Sequence, residues 1–359
     1  MGMTARERIE AALNHREPDR TPVFEYVLLS PVADQLLGRS YAGDPDNWAA
    51  FLHELGWERA VRQNAIDRLD LALLLGHDMM YVTPNPPVVE IAEESTPSPD
   101  NLSEDPVAVV RSRNEQSTIL APPPDDTFLI YAVLKEEMRR RDVDLPILAP
   151  AYMHGVWTDV ALMQTMMLDP EVAHRHFALA TKRALAYIEK YLALGIEQVG
   201  VGGDFAGNRL LISPEAYRTF IVPEVQRVSR RIHEAGGYAI NASDGNLWSV
   251  MEDFIVGCEA DGYLEIDMHA GMDLRKLKAQ YGNRVTLYGN LDCGNTLSFG
   301  SPEQIRAHTI QCLEAGMGDG GHILCAGNAI AASVPLENYL AVVHAYRDRF
   351  AIPKLELSL

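Results

Sequence analysis

Acid, imidazole and thiol groups in this 359-residue chain gather at the ends of short apolar runs. Glu25 and Tyr26 close one run, Tyr152 and His154 follow another, and Asp204 follows a third. Then come Asn241, Ser243 and Asp244; Glu265, Asp267 and His269; Asn290, Asp292 and Cys293; and Cys325 and Asn328. Carboxylates, histidines and cysteines converging from several elements can hold a metal or form a general acid/base pair, because both tasks need charged or soft donors in a partly desolvated pocket. None of them lies in a rigid local motif such as H-E-x-x-H. Singly, each has a plain structural use: Asp244 can cap a helix starting at Asn246, Cys325 can fill apolar space, and Asp204 can bond loop amides. As a set they point to function.

The elements that must position them alternate. Apolar runs at 21–27, 77–84, 145–153, 196–206, 238–245, 260–267, 284–292 and 321–330 read as strands, with helical patterns between them. One long helical stretch, 157–195, is broken at Asp169-Pro170, and Ser-Pro-Glu at 213 and again at 301 supplies an N-cap followed by proline at the first helical position. Parallel strands need such crossovers, and about eight units fit a closed barrel better than an open sheet. The expectation is an α/β fold, a (β/α)8 TIM barrel, in one domain over 1–359 with an N-terminal helical extension over 1–20. Proline-rich residues 88–126 interrupt the cycle between units two and three and read as an insertion carrying a short hairpin or loop, or a lid. Active sites of such barrels lie at the carboxyl ends of the strands, where the polar residues above fall; His322, at the start of its run, reads as structural.

With 31 Lys+Arg against 50 Asp+Glu, a formal charge of −19 and no basic run, the chain lacks the footprint of a nucleic-acid binder. Cys258, Cys293, Cys312 and Cys325 form no CxxC pair, which suggests a reduced, cytoplasmic protein. The opening is charged from Arg6 onward, with no apolar signal core, and no stretch reaches the roughly 18 apolar residues of a membrane span.

Three segments carry a resemblance: TARERIEAALNHREPDRTPV (4–23), MDLRKLKAQYGNRVTLYGNLD (272–292) and GGHILCAGNAIAASVPLENYLAVVHAYR (320–347). They resemble the uroporphyrinogen decarboxylase-like superfamily, which includes the decarboxylase of haem biosynthesis and zinc-dependent, corrinoid-linked methyltransferases. The resemblance implies a barrel with a deep cleft and a homodimer. Decarboxylases carry an Arg-Gln-Ala-Gly-Arg loop after the first strand for the tetrapyrrole's carboxylates; here that place reads Phe24-Glu25-Tyr26-Val27-Leu28-Leu29. Asn328 stands where their final Gly-His-Gly has histidine. Methyltransferases bind zinc through His-x-Cys-Gly and a later cysteine; here Ala242-Ser243-Asp244-Gly245 and Asn328 occupy those places. The resemblance therefore implies a zinc site of Asp244, Asp267 and Cys325, with Asp204, Asp244 and His154 as acid/base groups and Tyr26, Tyr152, Trp157, Asn241 and Asn328 around the substrate. The implied activity is methyl transfer from a small methylated molecule to a corrinoid on a partner protein, or to another acceptor. The alternatives are a uroporphyrinogen decarboxylase using Asp78 or Asp204, and a barrel that binds a corrinoid or its carrier without catalysis.

Overall fold

In the computed structural model, which describes residues 2–85, 105–119, 123–355 and 357, the apolar runs pair as parallel strands with helices between them. The strands β1 (Met80–Tyr81), β2 (Ile147–Pro150), β3 (Gln198–Gly202), β4 (Tyr238–Ala242), β5 (Gly262–Leu264), β6 (Thr286–Tyr288) and β7 (His322–Ile323) lie side by side in chain order. Before β1 come α1 (Ala5–Leu13), α2 (Val32–Leu37), α3 (Pro45–Leu55) and α4 (Trp57–Leu75); α5 (Pro106–Ile119) and α6 (Leu129–Arg140) precede β2. The remaining helices are α7 (Val160–Leu168), α8 (Pro170–Ala193), α9 (Pro214–Ala216), α10 (Val222–Glu234), α11 (Leu274–Tyr281), α12 (Thr296–Phe299), α13 (Pro302–Gly316) and α14 (Leu336–Arg349).

The expected breaks are where local chemistry puts them. Asp169 ends α7 and caps α8, accepting from Val172 N at 3.3 Å. Ser213 caps α9, and Ser301 forms a reciprocal capping box with Gln304 at the start of α13. Alternation along β4 then sorts side chains between two cores: Ile240 and Ala242 face the barrel interior with Phe24, Leu148, Leu264 and Tyr288, while Ala239 packs under the helices. Helix α1 covers the amino-terminal end of that interior with Ile9 and Leu13.

Two expectations change. The first predicted strand, 21–27, forms only isolated parallel bridges, Val23 with Leu324 and Leu28 with Ile330. Pro22 has no N–H to give the ladder, so pairing is sparse. The segment still closes the ring: Phe24 N donates to Leu324 O (3.1 Å), Leu324 N to Pro22 O (2.8 Å) and Asp78 N to Val23 O (2.7 Å). The second change is in the interruption at 88–126. Its described part holds α5, a helix and no hairpin, started by Asp105, whose carboxylate accepts from Val107 N at 3.0 Å. Helix α5 docks on its neighbours through Asn114 Nδ2 to Val172 O (3.0 Å) and ion pairs Arg113–Asp159 and Arg111–Asp169. Residues 88–104 and 120–122, where a lid or loop was expected, lie outside the described residues.

At the seam sits Asp78, 1% exposed. It accepts from Arg8 Nη1 (2.6 Å), Arg20 Nη1 and Nη2 (2.8 and 2.9 Å) and Val23 N (3.0 Å). It precedes β1, at the end of the ring opposite Asp204, so its expected role on a pyrrole gives way to a structural one. Breaking a buried pair strands its partner charges. Asp78→Ala is expected to cost about 3–5 kcal/mol in urea unfolding, whereas Asp348→Ala, which removes the exposed pair with Arg306, should leave the unfolding midpoint nearly unchanged. Equal small losses in both variants would refute the assignment.

Candidate functional site

Three consecutive strands each end in a carboxylate. Asp204 follows β3 by two residues, Asp244 follows β4 by two, and Glu265 directly follows β5. Gly245, at φ +92°, fixes the turn after Asp244: a Cβ there would meet Ala206 C at 2.6 Å, so the loops from β3 and β4 pack this closely only over glycine. Glu265 itself is left-handed at φ +70°, a strained conformation for a non-glycine residue and one that clusters at functional sites. The result is a cradle in which one oxygen from each of Asp204, Asp244 and Glu265 lies within 4.8 Å of the others.

Hydrogen bonds orient the cradle. Asp204 Oδ1 accepts from Asp244 N (2.9 Å), and Asp244 Oδ2 accepts from Asn328 Nδ2 (2.8 Å), whose own Oδ1 is held by Ala329 N (2.7 Å). Tyr26 stands near Glu265 and favours its charged form. Tyr26 and Tyr81 pack with ring centroids 4.4 Å apart, and Tyr152 joins them because Gly200 leaves room: a Cβ there would sit 2.4 Å from the ring. Burial, reinforced by the charges of Asp204 and Asp267, pushes the Asp244 carboxyl up to about 7. Burial with the charges of Asp244 and Asp204 pushes Glu265 up to about 8. No lysine or arginine bears on either carboxyl among the described residues, and 86–104 and 120–122 contain neither residue type. Such a site can hold or donate a proton near neutrality and can accommodate a cation; it repels anions.

Of the residues singled out from sequence, Asp204, Asp244, Tyr26, Tyr152 and Asn328 come together here. Trp157 stands at the rim, 54% exposed, its backbone N–H donating to the backbone carbonyl of Asp204 (3.0 Å). The expected metal set does not assemble. Cys325 is wholly buried in the barrel interior, its thiol pushed well up by burial and by Glu25. Asp267 contributes charge to Asp244, but its Oδ1 accepts from His269 N (2.9 Å) and Ala270 N (3.1 Å), capping its own turn. His154 turns outward: it is fully buried, burial lowers it to about 4, and Nε2 meets Thr181 Oγ1 (2.9 Å), which donates to Glu224. Asn241, out of phase with inward Ile240 and Ala242, gives Nδ2 to Phe254 O (3.0 Å) beneath the helices. Helix capping by Asp244 is not seen either, since Asn246 Oδ1 accepts from Trp248 N (3.3 Å). Glu25 accepts from Ala326 N (3.2 Å) at the seam, with Tyr339 nearby. Glu265 and Tyr81 were given no role from sequence. Glu265 was visible as a strand-end acid, but its left-handed turn toward the cradle was not.

A closed parallel α/β ring with its polar groups at the carboxyl ends of the strands is the arrangement of barrel enzymes. The chain belongs to the uroporphyrinogen decarboxylase (URO-D) family, whose model matches residues 145–349. It is 25% identical over 374 residues to a uroporphyrinogen decarboxylase of Alkalilimnicola ehrlichii, covering 96% of this chain and 94% of the relative. Similarity to the Xanthomonas axonopodis pv. citri uroporphyrinogen decarboxylase is also 25%, over 96% and 98% of the two chains. Among solved structures, a methyltransferase from Methanosarcina mazei shares the fold, with a TM-score of 0.69 at 19% identity over 97% of this chain and 99% of that one.

The raised carboxyls set a pH dependence. Unfolded carboxyls lose their protons near pH 4, so between there and about pH 8 the folded protein binds more protons than the unfolded chain, and stability falls as pH rises. Asp244→Asn and Glu265→Gln should flatten this slope, gaining roughly 1–3 kcal/mol over the parent at pH 8.5 and little at pH 5. Urea titrations at the two pH values check this; an unchanged slope would count against raised carboxyls.

Proposed function

We propose that this family member is a methyltransferase-type enzyme that moves a methyl group from a small methylated substrate to an acceptor. The observation that carries the reading is the acidic mouth of the barrel, where no lysine or arginine bears on Asp244 or Glu265 among the described residues. A tetrapyrrole with several carboxylates needs several cations, whereas Asp204, Asp244 and Glu265 would repel it. This favours methyl transfer over the decarboxylation named for the relatives, in spite of the family match.

For methyl transfer the site's own groups suffice for binding and proton control. As the carbon–heteroatom bond breaks, the heteroatom keeps the electron pair and needs a proton or a positive charge to leave well. Asp244, with its carboxyl near neutrality, is suited to hold that proton, and Asn328 and Asp204 fix its position. Tyr26 and Tyr152 wall the substrate, with Trp157 at the rim. Zinc, which the resemblance implies, does not fit this cradle: it offers three carboxylates and neither thiolate nor imidazole, a donor set suited to harder cations. No step is assigned to a metal. The methyl acceptor in this reading is a nucleophilic corrinoid brought by a partner protein.

The test is incubation of the protein with reduced corrinoid and a panel of methoxylated and N-methylated compounds, following methylcorrinoid by its absorbance, with uroporphyrinogen decarboxylation measured in parallel. Methyl transfer should appear and drop roughly 100-fold or more in Asp244→Ala. Porphyrinogen turnover without methyl transfer would overturn the proposal in favour of a decarboxylase.

A further inference from the structure

A second cavity, outside the acid cluster, opens between α4, β1 and the seam segment holding Glu25 and Tyr26. Its volume is about 40 Å³, room for roughly three water molecules or one short polar group and far too little for a tetrapyrrole. Arg68, on α4, lines it. Arg68 Nε donates to Asn64 Oδ1 (2.8 Å), Nη1 leans on Tyr81 O at 3.4 Å, and Cζ lies 5.8 Å from the centroid of the Tyr41 ring. Nη2 has no hydrogen-bond partner, and the guanidinium no carboxylate, among the described residues. The acids beside it on α4 are already taken: Asp67 pairs with Arg39, and Asp70 with Arg39 and Arg141. The acid and the imidazole on the lining are kept neutral. Burial pushes Glu25 up to about 8, and the protein packed around His77 lowers it. At pH 6.5 that leaves Arg68 as the formal charge on a cavity whose floor is apolar, formed by Leu28, Leu71 and Met80.

We infer that this cavity is a binding site for a small organic monocarboxylate, its oxygens on the open edge of the Arg68 guanidinium and its short alkyl group on the apolar floor. The guanidinium sets the class, because its planar fork matches the two oxygens of a carboxylate. The count of charges narrows it: one arginine offsets one negative charge, and a dianion such as inorganic phosphate would stay partly uncompensated in a desolvated pocket. The floor narrows it further, since chloride gains nothing from apolar side chains whereas an alkyl group does. A neutral Glu25 does not repel the anion. The cavity also stands back to back with the acids. Tyr26 and Tyr81 belong both to its lining and to the aromatic wall of the candidate site, and Tyr81 lies within the fields of Arg68 and Glu265 together. The ring pair thus divides a positive chamber from a negative one. This inference stands apart from the methyl-transfer reading, and no step of that reaction is assigned to it.

Calorimetric titration of the purified protein at pH 6.5 compares acetate and propionate with acetamide and propionamide, neutral molecules of the same shape, and with chloride and inorganic phosphate. Propionate should bind best, at least roughly tenfold more tightly than propionamide. Arg68→Gln should abolish that preference, and Arg68→Lys, which keeps the charge and loses the fork, should retain part of it. Arg59→Gln, an exposed position on the same helix, should bind as the parent does. A reading at the site itself needs no variant and is indifferent to whether one folds. Phenylglyoxal modification of Arg68 in the parent, followed by peptide mass spectrometry, should slow roughly fivefold or more under saturating propionate and stay unchanged under propionamide. Propionate bound no more tightly than propionamide overturns the inference, as does equal protection of Arg68 by both or protection confined to other arginines. Chloride or phosphate bound as tightly as propionate, and lost in Arg68→Gln, would overturn the carboxylate class.

Discussion

The ring of strands closes on one buried carboxylate. The segment at 22–28 joins β7 to β1 through isolated bridges and a few backbone hydrogen bonds, a thinner seam than the ladders elsewhere in the ring. Asp78 makes up the difference by gathering Arg8, Arg20 and the amide of Val23 at the amino-terminal end. Everything at the opposite end depends on that closure. Tyr26 and Asn328 approach the acids from the seam side, while Asp204, Asp244 and Glu265 come from β3, β4 and β5. A barrel open at the seam would keep its acids and lose the groups that position them.

The electrostatics of the mouth follow from the same geometry. Three acids on neighbouring strand ends are forced together by strand spacing, and burial removes the water that would otherwise screen them. The protein meets this by raising the proton affinity of Asp244 and Glu265 and by turning the neutral amide of Asn328 onto Asp244. No lysine or arginine bears on either carboxyl among the described residues. The place where porphyrinogen-handling relatives would need arginines is instead occupied by Glu25, turned into the seam.

Much of this was legible in the sequence. Strand order and helix breaks followed from apolar alternation and from caps at Asp169, Ser213 and Ser301, which act over a few residues and so appear in the local text. The end of the barrel that carries the acids could be read from where the polar residues fall. What escaped depended on direction. Asn241 and His154 lie at strand ends but face the helices, and a shift of one residue decides that. Glu265 reaches the cradle through a left-handed turn that no side-chain pattern announces. Helix α5 was hidden by the prolines around it and by a valine-rich start that does not advertise a helix.

The placement of the acids on β3, β4 and β5 also shapes how the family can diversify. All three are encoded within one contiguous stretch, from residue 198 to residue 265, on the arc of the ring facing away from the seam. Their orienting partners are encoded outside that stretch on either side, in the segment around Tyr26 and in the loop around Asn328. Recombination that exchanged only those flanking segments would leave the acidic arc intact while changing what reaches it. New chemistry could thus be sampled without dismantling the old charge centre, and relatives with the same acids could part company in what they accept.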